Sequence, residues 1–283
     1  MKIGEKNFSF GSRTYIMGIL NVTPDSFSDG GEFDSVDKAV AHAKQMVADG
    51  VDVIDIGGES TRPGAKSITI EEEIIRVIPV IEELTKKVNI PLSIDTYKSE
   101  IAKKALDLGI AMVNDITALQ GDKKLVNDIA DYNVPIILMH MKGTPNNMQK
   151  NPAYDDVVKE IIDFLEKRIE YATFNKVKKE NIIIDPGIGF GKRTGKGIED
   201  NCEILRRLPE FKTLGHPIMI GASRKTFIGN VCGGKTLLPV TDRLEGSLAA
   251  SSIAVANGAD ILRVHDVKQT RRCIDIVDSI IRK

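Results

Sequence analysis

Eight short apolar runs, each ending in polar residues, recur along the 283-residue chain. They read as strands near Thr14–Asn21, Val53–Gly57, Pro91–Asp95, Met112–Asp115, Ile136–His140, Ile182–Asp185, Ile218–Gly221 and Ile261–Val264. Several are continuous Ile, Val, Leu and Met runs rather than alternating ones, the pattern of strands covered on both faces. Helical patterns separate them. Val36, Ala39, Val40, Ala43, Met46 and Val47 make one apolar stripe, with Ser35 as its expected N-cap. Thr69 and Glu72 predict a capping box, and Pro79 predicts a kink in the same helix. A long amphipathic stretch runs from Tyr154 to Phe174, and a last helix is expected over Lys268–Ile281. Strands alternating with helices imply a parallel sheet.

Two details favour a closed (β/α)8 barrel over an open doubly wound sheet. The joints Asp49-Gly50-Val51, Leu108-Gly109-Ile110 and Asn257-Gly258-Ala259 echo one another, each placing Gly at a helix end just before a strand. The long loops, Val22–Asp34, Gly58–Ile68, Pro186–Ile198 and Ala222–Thr241, all follow strands. Barrels of about 250 residues build their working face from such loops, at the C-terminal ends of the strands. No Pro/Ser-rich linker or charge run divides residues 1–283, so one barrel domain is expected.

Charge and cysteine content narrow the partners. Lys plus Arg total 39 against 40 for Asp plus Glu, a balance with no global attraction for nucleic acid or an anionic membrane. No run approaches the roughly 20 apolar residues of a membrane span. The apolar run from Tyr15 to Leu20 is too short for a signal peptide. Cys202, Cys232 and Cys273 show no Cys-x-x-Cys spacing. A cytoplasmic protein is expected, with Cys273 packed in the core beside Ile274, Val277 and Ile281.

In a barrel, residues that end strands converge on one mouth. Here they are Asn21, Glu59, Asp95, Asn114 with Asp115, His140, Asp185, Ser223-Arg224-Lys225, and Arg263 with His265. Singly, each has a plainer reading: Asp95-Thr96 as a helix cap, Asp185-Pro186 as a turn, Asp266 as a cap. Together they mix carboxylates, amides and cations, with the cations in the last two units, where barrels often hold phosphate. The four histidines show no zinc-ligand spacing. A hard Mg²⁺ shared with a bound phosphate needs few protein ligands. Gly229-Asn230-Val231-Cys232-Gly233-Gly234-Lys235-Thr236 matches the P-loop pattern literally. The strand before it ends too early, and Pro239 falls where the first helical turn belongs, so a nucleotide-hydrolase reading is set aside.

These residues resemble those of the dihydropteroate synthase family. Asn21-Val22-Thr23-Pro24-Asp25-Ser26-Phe27-Ser28-Asp29-Gly30-Gly31 is similar to its first mobile loop, and Gly57-Gly58-Glu59-Ser60-Thr61-Arg62-Pro63-Gly64 to its second. Ser93-Ile94-Asp95-Thr96, Val113-Asn114-Asp115, Leu138-Met139-His140-Met141, the glycine cluster after Asp185, Ser223-Arg224-Lys225 and Arg263-Val264-His265-Asp266 follow in order, so the resemblance spans the chain. Thr226 departs from the Ser found in many members; either hydroxyl donates a hydrogen bond.

The resemblance implies condensation of a dihydropterin-CH2-diphosphate with para-aminobenzoate. It places Asp95, Asn114, Asp185, Lys225 and Met139 at the pterin, and Asn21, Thr61, Arg263 and His265 at the diphosphate. Thr61, Pro63, Phe190, Lys225 and Thr226 would form the para-aminobenzoate pocket. Asp95, Lys225 and Arg62 would act in catalysis, Asp25, Phe27, Asp29 and Arg62 would ride on mobile loops, and Asn21 would hold Mg²⁺. A homodimer is also implied. The rival is a related barrel that binds a reduced pterin for methyl transfer to a corrinoid partner. Such a module has no need of Asp25, Arg62 and Pro63 on two long loops, or of an Arg263/His265 anion site.

Overall fold

The computed structural model of the chain describes residues 1–23, 32–62, 64–195 and 198–282. Its main sheet has the strands β1 (Tyr15–Asn21), β2 (Val53–Gly57), β3 (Leu92–Asp95), β4 (Met112–Asp115), β5 (Ile136–Met139), β6 (Ile182–Asp185), β7 (Met219–Ile220) and β8 (Ile261–Val264). They lie in the order β7-β8-β1-β2-β3-β4-β5-β6, each pair parallel. A single bridge, Ile184 to Ile218, joins β6 to the entry of β7. Ile184 N donates there to Pro217 O at 3.0 Å. The sheet closes on itself, as the expected (β/α)8 barrel does.

Helices pack outside the strands: α1 (Glu32–Ala48), α2 (Ile70–Lys87), α3 (Ser99–Asp107), α4 (Leu125–Tyr132), α5 (Val157–Phe174), α6 (Asp200–Arg206), α7 (Thr226–Gly233), α8 (Leu244–Ala256) and α9 (Val267–Ile281). The capping box forms as expected: Glu72 N donates to Thr69 Oγ1, and Thr69 N to Glu72 Oε2. Pro79 lies within α2 without ending it. Both Pro79 and Ile75, whose carbonyl loses its helical donor, are exposed, so water can satisfy the bond. Helix α1 begins at Glu32, ahead of the expected Ser35 cap. Cys273 is only half-buried, its Sγ 3.3 Å from Ser252 Oγ between α9 and α8, so it is not a core residue. Gly229 and Gly233 fall inside α7, which removes the loop a P-loop needs.

Strand alternation sorts the side chains. Inward-facing Tyr15, Met17, Val53, Met112, Ile137, Ile183, Met219 and Ile261 fill the lower barrel, and Ile3 and Phe8 of the N-terminal hairpin seal that end. Each large aliphatic buried this way contributes about 1.5–3 kcal/mol. Two positions further along the same faces stand Asp55, Asn114, Asp185 and Arg263, with apolar Met139 beside them. The upper barrel is thus a polar chamber on an apolar plug.

Candidate active site

A cavity of about 1290 Å³ opens at the C-terminal ends of the strands. Every described residue assigned a ligand or catalytic role from the sequence lines it. Asn21, Thr61, Arg62 and Asp95 come from the first three strand ends. Asn114, Met139, Asp185 and Phe190 come from the next three, and Lys225, Thr226, Arg263 and His265 from the last two. Asp25, Phe27, Asp29 and Pro63 lie outside the described residues. Two other strand-end residues serve the scaffold. Asp115 faces outward and accepts from Thr117 N, Thr117 Oγ1 and Leu119 N. His140 packs edge-on against Phe164 at 4.9 Å and meets Lys192 Nζ at 3.0 Å.

The centre of the chamber rests on Asp55, a carboxylate that sequence reading passed over. It sits inside the apolar run Val53–Gly57, fully buried, and only alternation turns it inward. Arg263 Nε donates to Asp55 Oδ2 at 2.7 Å, and its Nη2 to Asp95 Oδ2 at 2.7 Å. Asn114 Nδ2 donates to the same Asp55 oxygen at 2.9 Å. A carboxylate can only accept, so Asn114 must turn its amide nitrogen toward it. The buried Asn114 Oδ1 is left without a hydrogen-bond partner in the protein. The amide oxygen is therefore free to accept from a ligand, and one N–H of Nδ2 is already committed to Asp55.

Asp185 ends β6 and is buried, with one oxygen accepting from Gly187 N at 2.7 Å. Gly187 has φ +73°, and a Cβ there would lie 1.9 Å from His140 O. Only glycine lets the chain turn back this tightly over β5. Lys192, fully buried and also missed in the sequence, ties the loop down: its Nζ donates to Gly187 O and Phe190 O, each at 2.9 Å. This holds Phe190 under Lys225, whose Nζ lies 4.1 Å from the ring centroid, a cation–π arrangement. Ile116, Met139, Met148 and Phe190 together form an apolar wall beside the polar floor.

Burial shifts the charges. Desolvation pushes Asp185 up to about 6, against the pull of Gly187 N–H and Lys225. It raises Asp95 as well; the Arg263 cation opposes this and the Asp55 carboxylate adds to it. Burial, aided by Arg263, lowers Lys225 to about 8. Burial with Arg263 and Arg224 nearby brings His265 down to about 3. Burial thus favours the uncharged imidazole of His265, whose Nδ1 lies 3.1 Å from Ser223 Oγ, and two Arg263 nitrogens already serve carboxylates. Between Ser223 and Lys225, Arg224 takes φ 57°, an unfavourable value for a long side chain. Ser247 Oγ accepts from Arg224 N at 2.9 Å, and Arg224 Nε pairs outward with Asp266 at 3.0 Å. Ser223 and Lys225 line the cavity on either side of Arg224.

Among the described residues, no group of three or more His, Cys, Asp or Glu gathers around a metal-sized point. Asn21 offers one hard oxygen: its Oδ1 and Asp95 Oδ2 flank the open side of Gly57, 3.6 and 3.7 Å from where a Cβ would stand. One or two protein oxygens beside a phosphate is a donor set that suits Mg²⁺.

Residues 17–265 match the family described as "Pterin binding enzyme". The dihydropteroate synthase of Clostridium beijerinckii is 46% identical over 284 residues, covering 100% of both chains. A crystal structure of the Clostridium difficile dihydropteroate synthase in the presence of pteroic acid superposes with a TM-score of 0.90 at 48% identity, covering 98% of this chain and 100% of that one. The Xanthomonas albilineans enzyme with 4-aminobenzoic acid gives a TM-score of 0.87 at 44% identity, covering 95% and 94%. The chain belongs to the dihydropteroate synthase family of pterin-binding transferases.

Proposed function

We propose that the protein condenses 6-hydroxymethyl-7,8-dihydropterin diphosphate with para-aminobenzoate, giving 7,8-dihydropteroate and diphosphate. One observation carries the reading: two buried acceptors, Asp185 and Asn114 Oδ1, face the cavity beside a wall of Ile116, Met139, Met148 and Phe190. A flat heterocycle with a 2-amino group and ring N–H donors would give Asn114 Oδ1 the partner it lacks and Asp185 one beyond Gly187 N; leaving a buried acceptor unpaired is costly.

In this reading the aniline nitrogen attacks the pterin methylene as its C–O bond to diphosphate breaks. The electron pair leaves with diphosphate, and the nitrogen then loses a proton. An aromatic amine is already unprotonated at neutral pH, so no strong general base is required. Asp185 and Asn114 orient the ring, and Met139 packs against it. Asp95 stabilises positive charge developing at the methylene. Lys225 touches the ring and the reacting region. Arg263, through its remaining Nη1, joins His265, Asn21 and Thr61 in holding the diphosphate. Thr61, Pro63, Phe190, Lys225 and Thr226 receive para-aminobenzoate under Arg62. Asn21 is the residue to hold Mg²⁺, which would neutralise the leaving diphosphate when bound.

Diphosphate release, measured with and without para-aminobenzoate, tests the proposal. Release matched one-for-one by dihydropteroate supports it. Pterin binding with no release under either condition would favour the methyl-transfer type of barrel. A homodimer is proposed on the family resemblance and on exposed Ile253 of α8 with Ile276 and Ile280 of α9; light scattering that finds only monomer removes it. No helix among the described residues is long and apolar enough to cross a membrane. The cytoplasm is the proposed site of action, supported by three free cysteines.

A further inference from the structure

The joint between β3 and α3 carries two charged residues with opposite outlooks. Asp95 faces the cavity, while Lys98, three residues on, turns its ammonium into a buried pocket beside α2. Lys98 Nζ donates to Glu59 Oε2 at 2.7 Å, to Glu73 Oε2 at 2.7 Å and to Ile68 O at 2.8 Å. An ammonium has three hydrogens, and all are engaged. Burial alone would lower its pKa, but the bonds from Glu59 and Glu73 outweigh that, so the proton is firmly held.

The partners are placed tellingly. Glu59 begins and Ile68 ends the segment that carries Thr61 and Arg62 over the cavity; Glu73 belongs to the fixed helix α2. The root at Gly58 is also pressed on α2, where a Cβ would lie 2.6 Å from Val77 Cγ1 and Arg76 Nη1 donates to Gly58 O at 2.9 Å. One lysine therefore draws both ends of residues 59–68 to one point on the scaffold. A buried ion cluster contributes little net stability over an apolar replacement, and its better-attested use is to fix geometry.

We propose that Lys98 is a positioning residue for the second substrate: by holding Glu59 and Ile68 to Glu73, it sets where Thr61 and Arg62 stand at the para-aminobenzoate side of the cavity. The proposal rests on the synthase reading above for the substrate's identity, but not for the clamp itself.

The test pairs a chemical readout with a kinetic one. Trypsin cannot cut after Arg62, which precedes Pro63, so cleavage after exposed Lys66 reports on the segment. In Lys98→Met that cleavage should quicken by about 10-fold, as expected when a local opening is made easier. The KM for para-aminobenzoate should rise by about 10-fold, while a pterin lacking diphosphate binds within about 2-fold of the parent. Because Lys98→Met strands two carboxylates and can weaken folding, Lys98→Met/Glu73→Met is measured beside it. The double variant should recover thermal stability yet keep the raised KM and rapid cleavage. Unchanged cleavage overturns the clamp. A KM defect that vanishes as stability returns, or pterin affinity that falls in step with it, overturns the positioning role. Absence of turnover in the parent would refute the synthase reading instead, and the cleavage rates would still judge the clamp.

Discussion

Arg263 and Asp95 hold one another across the barrel mouth, guanidinium Nη2 to carboxylate Oδ2, at 2.7 Å. The same guanidinium grips fully buried Asp55, so one cation serves two carboxylates. Removing one member of such a cluster leaves uncompensated charge, which typically costs about 3–5 kcal/mol. Arg263→Met should therefore destabilise the protein by about that much in urea unfolding. Adding Asp55→Asn should restore part of the loss. If the single variant unfolds like the parent, the cluster is not the keystone described here.

Pterin recognition should follow the ionisation of Asp185. Its pKa stands near 6, raised by burial, and only the ionised form offers two acceptors. Affinity for a pterin without diphosphate should hold at pH 7 and weaken below pH 6 by about 10-fold per pH unit. Lys225, lowered by burial to about 8, should add a falling limb to turnover above that pH. Asp185→Ala should cost about 10- to 100-fold in affinity and flatten the acid limb. Calorimetric titration across pH checks both; an acid limb that survives in Asp185→Ala belongs to another group.

Gly187→Ala should be far worse than an ordinary glycine replacement. Positive φ alone costs alanine about 1 kcal/mol, and here the methyl would also strike His140 O. Gly215 has φ +72° with nothing within 4 Å of its Cβ position, so Gly215→Ala carries the conformational cost alone. Thermal melts should separate the two variants, and Gly187→Ala should lose pterin binding with its stability. Equal melting temperatures would mean that the loop yields without strain.

Lys225 and Lys235 should behave oppositely. Lys225 lies over Phe190 in the cavity, and Lys225→Ala should slow dihydropteroate formation by at least ~100-fold, since it removes a cation from where charge moves. Lys235 is exposed beyond α7. Lys235→Ala should stay within about 3-fold of the parent, as for other surface charges. Nucleotide hydrolysis that depends on Lys235 would revive the P-loop reading.

Arg62→Ala should chiefly impair turnover with para-aminobenzoate and spare the pterin. Arg62 is exposed at the lip of the cavity, whereas Asp185 and Asn114 lie deep within it. Steady-state kinetics with each substrate varied in turn, alongside pterin calorimetry, distinguish the effects. Lost pterin affinity with full turnover at saturation would contradict this placing.

The barrel was legible because its strands are covered on both faces, and that burial writes continuous apolar runs into the sequence. Strand-end polar residues such as Asp95, Asn114 and Asp185 stood out against those runs. Asp55 did not, since its neighbours Ile54 and Ile56 are buried and one carboxylate inside Val53–Gly57 carries no sign of which way it faces. Lys192 resembles any loop lysine until the turn at Gly187 folds over it. Asp115 misled in the other direction: one step along the strand from Asn114, it points away from the chamber and braces the following turn. The lowered pKa of His265 was equally hidden, because it comes first from burial and then from Arg263 and Arg224, brought near only by folding.

The single bridge between Ile184 and Ile218 gives the barrel a thin place in its wall. Everywhere else neighbouring strands are laced by at least two paired positions. Asp185 stands on one bank of this gap and Ser223 with Lys225 on the other. Thermal breathing concentrated there would vary the spacing between the carboxylate and the ammonium without disturbing Asp55, Asp95 or Asn114. Amide exchange with deuterated water should find the Ile184 N–H yielding before those of Ile54 or Ile94, because protection follows local opening. A ligand touching both banks would then act as a staple, slowing exchange most where the empty wall is thinnest.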